Sequence, residues 1–93
     1  MREEKTLQNK CIRWLKSQPD CWFFKVSGSA CQTPGVPDLV ICWHGRFVAV
    51  ELKSSIGELR EVQLATINKI LGAGGRAFVI RSFQEFTEAM ENI

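Results

Sequence analysis

Pro37-Asp38-Leu39-Val40-Ile41-Cys42-Trp43-His44-Gly45-Arg46-Phe47-Val48-Ala49-Val50-Glu51-Leu52-Lys53 is the stretch whose reading decides the fold. Two apolar, β-branched and aromatic runs, residues 38–43 and 46–53, flank His44-Gly45, and such runs read as strands. A two-residue hairpin turn needs positive φ, which glycine adopts without steric cost, so His44-Gly45 predicts a hairpin. Side chains alternate along a strand. Val48, Val50 and Leu52 therefore share one face, to be buried against a helix, while Phe47, Ala49, Glu51 and Lys53 share the other.

Pairing Trp43 with Arg46 across the turn sets Asp38 opposite Glu51. Residues so opposed have Cβ atoms about 5 Å apart and point to the same side. Two carboxylates at that spacing repel unless a divalent cation lies between them. Hard cations such as Mg²⁺ take oxygen ligands, commonly one or two carboxylates together with water and substrate phosphate. Lys53 emerges one pleat beyond Glu51, where it could orient or help deprotonate an attacking water. The alternative is a surface hairpin whose charges are merely solvated.

Outward from the hairpin, Leu7, Cys11, Trp14 and Leu15 have the spacing of an amphipathic helix over residues 3–17. Gln18-Pro19-Asp20 ends it, because the residue before proline is pushed out of helical geometry. At about 100° per residue, Glu4 falls on the apolar side of this helix and Glu3 well off it. A core-facing carboxylate calls for a partner, although an acid in a first turn also suits the helix macrodipole. Residues 21–26 read as a strand and residues 27–37, with Gly28, Pro34, Gly35 and Pro37, as a loop. Lys25 ends that strand, as a phosphate contact or as a snorkelling lysine.

Past the hairpin, Ser55 and Glu58 are spaced as a capping box for a helix over residues 58–71, stopped by Gly72-Ala73-Gly74-Gly75. Gln63 sits at the edge of its stripe of Leu64, Ile67, Ile70 and Leu71. It could reach a metal-bound water or a phosphate, or be a plain polar edge residue. Residues 76–81 form a last strand, and Ser82 with Glu85 opens a final helix carrying Phe83, Phe86 and Met90. The order αβββαβα predicts an α/β fold with one central mixed β-sheet flanked by helices.

Ninety-three residues predict a single domain spanning 1–93. With 12 basic and 10 acidic residues the net charge is +2, which permits an anionic partner without demanding one. Arg46, Arg60 and Arg76 join Lys25 as candidate phosphate contacts. No apolar run approaches the ~20 residues of a membrane span, and the charged start Met-Arg-Glu-Glu-Lys is no signal peptide. Cys11, Cys21, Cys31 and Cys42 lack the paired spacing of zinc ligands. Reduced, mostly buried thiols are expected, and with them a cytoplasmic protein.

Taken together, Glu4-Lys5, Lys25-Val26-Ser27-Gly28, Gly35-Val36-Pro37-Asp38-Leu39, Phe47-Val48-Ala49-Val50-Glu51-Leu52-Lys53, Gln63 and Gly74-Gly75-Arg76-Ala77 resemble the PD-(D/E)xK nuclease superfamily. More narrowly they resemble its VRR-NUC branch, in the compact form found in phages. Ser54 to Gly57 departs from the proline- and glycine-containing turn usual there. The resemblance implies a restriction-endonuclease-like fold, with Mg²⁺ or Mn²⁺ held by Asp38, Glu51 and the Leu52 carbonyl. It also implies Lys53 as catalytic lysine, Glu4 and Gln63 as accessory residues, and hydrolysis of DNA phosphodiester bonds. Compact members are homodimers acting on four-way junctions, and the aromatic content fits a shared subunit contact. The competing classes are a non-catalytic nucleic-acid-binding module and a structural subunit of a DNA-repair complex.

Overall fold

The computed structural model of the chain describes residues 2–26 and 33–93. Of the expected 27–37 loop, residues 27–32 lie outside the described residues, and with them Ser27, Gly28 and Cys31. The elements are α1 (Arg2–Lys16), β1 (Cys21–Lys25), β2 (Leu39–Trp43), β3 (Arg46–Leu52), α2 (Glu61–Gly72), β4 (Arg76–Ile80) and α3 (Phe83–Glu91). Their order is the expected αβββαβα. The sheet runs β1-β2-β3-β4. Antiparallel pairing joins β1 to β2 and β2 to β3, and β4 returns parallel to β3 after the α2 crossover, so the sheet is mixed.

The hairpin forms as its turn chemistry dictates. His44 and Gly45 take φ of 51° and 85°, the two positive values of a type I′ turn. Trp43 pairs with Arg46 and Leu39 with Val50, the register expected from the sequence.

Period-2 alternation then sorts the sheet into two faces. Leu39, Ile41 and Trp43 join Val48, Val50, Leu52 and Ile80 against Leu7, Cys11 and Leu15 of α1 and Phe86 and Met90 of α3. This is the main core. Trp14 stacks on Trp43 at 5.5 Å and meets Phe86 edge-on at 5.4 Å, the offset and T-shaped arrangements that aromatic quadrupoles favour. Helix α2 lies on the other face, where its Gln63 reaches Glu51 of β3 and Phe47 is left half exposed. Beyond its reach, Trp22 and Phe24 of β1 are 65% and 45% exposed, their rings 5.6 Å apart and tilted by 54°.

Several boundaries shift by a residue or two, as helix and strand ends do. One shift is more than fraying. Helix α2 starts at Glu61 with Arg60 as N-cap, not at residue 58 with a Ser55/Glu58 box. Gln63 supplies the return half of the cap by accepting from Arg60 N–H at 2.9 Å. The apolar stripe expected on this helix is also rotated: Leu64 and Leu71 are each 48% exposed, while Gln63 is buried. Among the thiols, Cys11 is buried and its pKa is pushed up to about 12 by that burial, which makes it inert. Cys42 is exposed, against expectation. No helix among the described residues is long and apolar enough to cross a membrane.

Phe86 is fully enclosed and Ile56 is 88% exposed, which sets the first expected outcome. Phe86→Ala should cost about 3–5 kcal/mol of unfolding free energy through the cavity it leaves. Ile56→Ala should stay within about 0.5 kcal/mol. Urea denaturation of the two variants checks the pair.

Candidate active site

Asp38 stands just before β2 and is pinned from both sides. Its N–H donates to Val50 O at 3.0 Å and its carbonyl accepts from Val26 N–H at 2.8 Å. The paired register ends at Leu39 with Val50, and Asp38 lies one residue beyond it, bonded to that same Val50, with its carboxylate beside that of Glu51. Its Oδ2 accepts from the Leu52 amide at 2.7 Å, so the carboxylate is drawn across the end of β3. The loop leading to it is wedged in place at Gly35, which is buried with φ +84°. A Cβ on that residue would lie 2.5 Å from Val62 O of α2, so only glycine fits both the dihedral and the space.

Glu51 is a carboxylate in the sheet interior, 5% exposed. Gln63 Nε2 donates to its Oε2 at 2.7 Å. The amide's orientation is settled by chemistry: the Arg60 N–H can only donate, so Oε1 must face it and Nε2 must face Glu51. One side chain thus caps α2 and fixes a buried acid. Lys53 Nζ lies 3.8 Å from the same Oε2.

The Glu51 pKa rises from 4.5 to about 7. Burial is the largest cause, followed by the neighbouring Asp38 charge; the Lys53 charge opposes them, a hydrogen bond with Asp38 adds to the rise, and Arg60 lowers it. Burial and the neighbouring like charge both disfavour the ionised form, and together they outweigh the two cations. Among the described residues no group of three or more His, Cys, Asp or Glu could hold a metal ion. The donors at hand are two carboxylates, each with one oxygen already engaged by the fold, and the Leu52 carbonyl. These hard oxygen donors fit Mg²⁺ or Mn²⁺, which keep much of their coordination for water and phosphate.

Helix α1 closes the site. Glu4 is half-buried, and its Oε2 accepts from Ser54 N–H at 3.3 Å. With Lys5, Gln8, Asp38 and Leu52 it lines a cavity of about 280 Å³. The helix phase therefore separates Glu4 from Glu3 as expected, but Glu3 is not idle: it accepts from Ser55 N–H at 2.9 Å. Sequence reading missed that contact and the Gly35 wedge, because neither leaves a periodic signal. The four candidate DNA cations do not form one patch. Lys25 and Arg60 are at the Asp38–Glu51 end of the sheet. Arg46 and Arg76 share a separate cavity with Gly45, Phe47 and Gly74, Arg46 being five residues, or about 17 Å, along β3 from Glu51.

The raised pKa makes stability depend on pH. Below pH 4.5 Glu51 is protonated in both folded and unfolded chains, and its titration contributes nothing to stability. Between 4.5 and about 7 only the unfolded chain releases the proton, so stability falls as pH rises; above 7 the metal-free fold carries a buried charge at a cost of about 2–3 kcal/mol. Glu51→Gln should therefore be more stable than the metal-free wild type by about that amount at pH 8. The difference should vanish near pH 4.5. Denaturation curves of both proteins across this range measure it.

No protein-family model matches the chain, and no curated protein matches it in sequence. Solved structures do. One described as a VRR_NUC domain superposes with a TM-score of 0.78 at 22% identity, over 96% of this chain and 95% of its own. Another, described as a VRR_NUC domain protein, gives 0.80 at 18% identity, over 97% of this chain and 86% of its own. Agreement over nearly the whole of both chains at such low identity is agreement of backbone architecture, and this chain has the VRR_NUC fold.

Proposed function

We propose that this chain is a metal-dependent nuclease domain, spanning residues 1–93, that hydrolyses DNA phosphodiester bonds. The observation that carries the reading is the neighbouring carboxyl pair of Asp38 and Glu51, one of them buried with a pKa near 7. Asp38, Glu51 and the Leu52 carbonyl would hold Mg²⁺ or Mn²⁺. Bound there, such a cation supplies Lewis-acid polarisation of a phosphate oxygen and makes water a better nucleophile.

The chain's own residues do the rest. Gln63 locks the Glu51 carboxylate against rotation, and the Leu52 amide does the same for Asp38. Lys53, held 3.8 Å from Glu51, orients the attacking water and offsets negative charge gathering at the phosphate. Glu4 borders the same cavity as Asp38 and serves as the accessory acid. Lys25 and Arg60 contact phosphates beside the cut, and Arg46 and Arg76 contact them farther along, so affinity falls as salt rises.

The substrate is branched DNA of the four-way type, and the enzyme is a homodimer. Trp22, Phe24 and Phe47 leave an aromatic surface uncovered on the α2 side of the sheet, and a second copy of the chain covers it. Two-fold pairing is the commonest oligomeric symmetry, and it presents two equivalent sites to a junction that is itself roughly two-fold.

Asp38→Ala, Glu51→Ala and Lys53→Ala should each lower cleavage by on the order of 100-fold or more, with circular dichroism unchanged. Glu4→Gln should slow the reaction more than Glu3→Gln. Cleavage that persists in excess EDTA, or in Asp38→Ala, defeats the assignment and leaves a binding module or a structural subunit. For the assembly, light scattering should give twice the chain mass for the wild type and the single mass for Trp22→Glu. Paired nicks in a four-way junction should precede any cutting of linear duplex; equal rates on the two leave only a general nuclease.

A further inference from the structure

β3 ends at Leu52, and the last bond it shares with β4 is Lys53 N–H to Ile80 O at 3.0 Å. From there to Glu61 the chain has no ladder and no helix to hold it, yet this segment begins with the lysine assigned to catalysis. What holds it is a set of specific hydrogen bonds. Ser54 and Ser55 donate their amides to Glu4 and Glu3 of α1, and Gly57 N–H closes a turn onto Ser54 O at 3.2 Å. On the carbonyl side the anchor is Arg81, whose Nη1 donates to Ser54 O at 2.9 Å and to Gly57 O at 2.6 Å.

We propose that Arg81 is a positioning residue for the nuclease reaction: by gripping the Ser54 and Gly57 carbonyls it fixes the turn that sets Lys53 and its neighbour Glu4. The inference rests on the nuclease reading. Its geometry is independent of that reading.

Arg81 is suited to the task because it is itself fixed at both ends. Its own N–H donates to Glu85 Oε1 at 2.7 Å, and Glu85 is locked by donating its amide to the Ser82 cap at 3.1 Å. The start of α3 thus anchors the backbone from which the guanidinium reaches. Gly57 lies next to the lysine: the position a Cβ would take on it is 3.6 Å from Lys53 Cδ and 3.1 Å from Ser54 Oγ, so the turn borders the lysine stem. Releasing the Ser54 and Gly57 carbonyls frees the turn that begins one residue after Lys53, and the lysine's position with it. Among the described residues Arg81 has no carboxylate within ion-pair distance, so its charge is spent on these two carbonyls. A planar guanidinium keeps such geometry better than an ammonium on a flexible stem.

The test compares Arg81→Gln and Arg81→Lys with the wild type in three readouts. Single-turnover cleavage by Arg81→Gln should fall about tenfold or more, as misplacing a reacting group does, while its Kd for DNA stays unchanged. Amide hydrogen exchange should quicken at Ser54, Ser55 and Gly57, with Val48 and Val50 in β3 remaining protected. Arg81→Lys, which keeps the charge and one or more donors, should give intermediate values in both, and it carries the test if Arg81→Gln does not fold. A wild-type cleavage rate in a folded variant overturns the proposal, as does a loss confined to DNA affinity. The exchange arm needs no catalysis. Unchanged protection at Ser54 to Gly57 therefore overturns the tether in its own right, whereas an inactive wild type overturns the nuclease reading instead.

Discussion

The register of one hairpin governs this molecule. His44 and Gly45 adopt the paired positive φ values of a two-residue turn, and with that turn closed there is no freedom left in how β2 meets β3. A slip of one residue would turn Val48, Val50 and Leu52 out of the core and Glu51 into it on the wrong side. It would also part Asp38 from Glu51. The apolar alternation and the acidic pair therefore enforce the same register, and the turn, the core and the site are three expressions of one alignment.

Glu51 shows what that alignment costs. A carboxylate among sheet residues is disfavoured by burial and again by the carboxylate beside it, and the fold offsets only part of this with Lys53, Arg60 and the Gln63 amide. Such partial compensation is expected of a group kept for chemistry and not for stability. The apolar side of the sheet supplies the rest: its core of Leu39, Ile41, Val48, Val50, Phe86 and Met90 is sealed from water.

The order of elements, the sheet's mixed character and the hairpin register from Leu39 to Val50 were legible in the sequence because each follows from period-2 alternation and a turn signal. Helix α2 was legible in existence but not in phase. Arg60 is a poor N-cap by composition, so the true start had no residue-level mark, whereas Ser55 and Glu58 offered a false one. With the phase wrong, Gln63 was read as an edge residue when it is buried. Contacts such as Glu3 with Ser55, Gly35 with Val62 and Arg81 with Gly57 join residues 24 to 52 positions apart through loops, where no periodicity exists to announce them. For Arg46, Arg60 and Arg76 the sequence offers only their charge as a sign of phosphate contact, and for Lys25 its place at a strand end before a glycine-containing loop. Their division between the two ends of the sheet is a property of topology, which composition does not contain.

The Gly35 wedge has a consequence for how the site comes into being. The loop that delivers Asp38 rests backbone to backbone on Val62, one residue before the glutamine that secures Glu51. Asp38 is delivered before the hairpin and Gln63 after it, on a helix that packs against only part of the sheet. A chain with its hairpin and main core already formed, but with that helix still undocked, would have both acids in line and neither the wedge nor the amide to steady them. Docking of this outer helix therefore completes the site, because the Gly35 contact and the Gln63–Glu51 hydrogen bond both depend on it, while the core on the opposite face of the sheet does not.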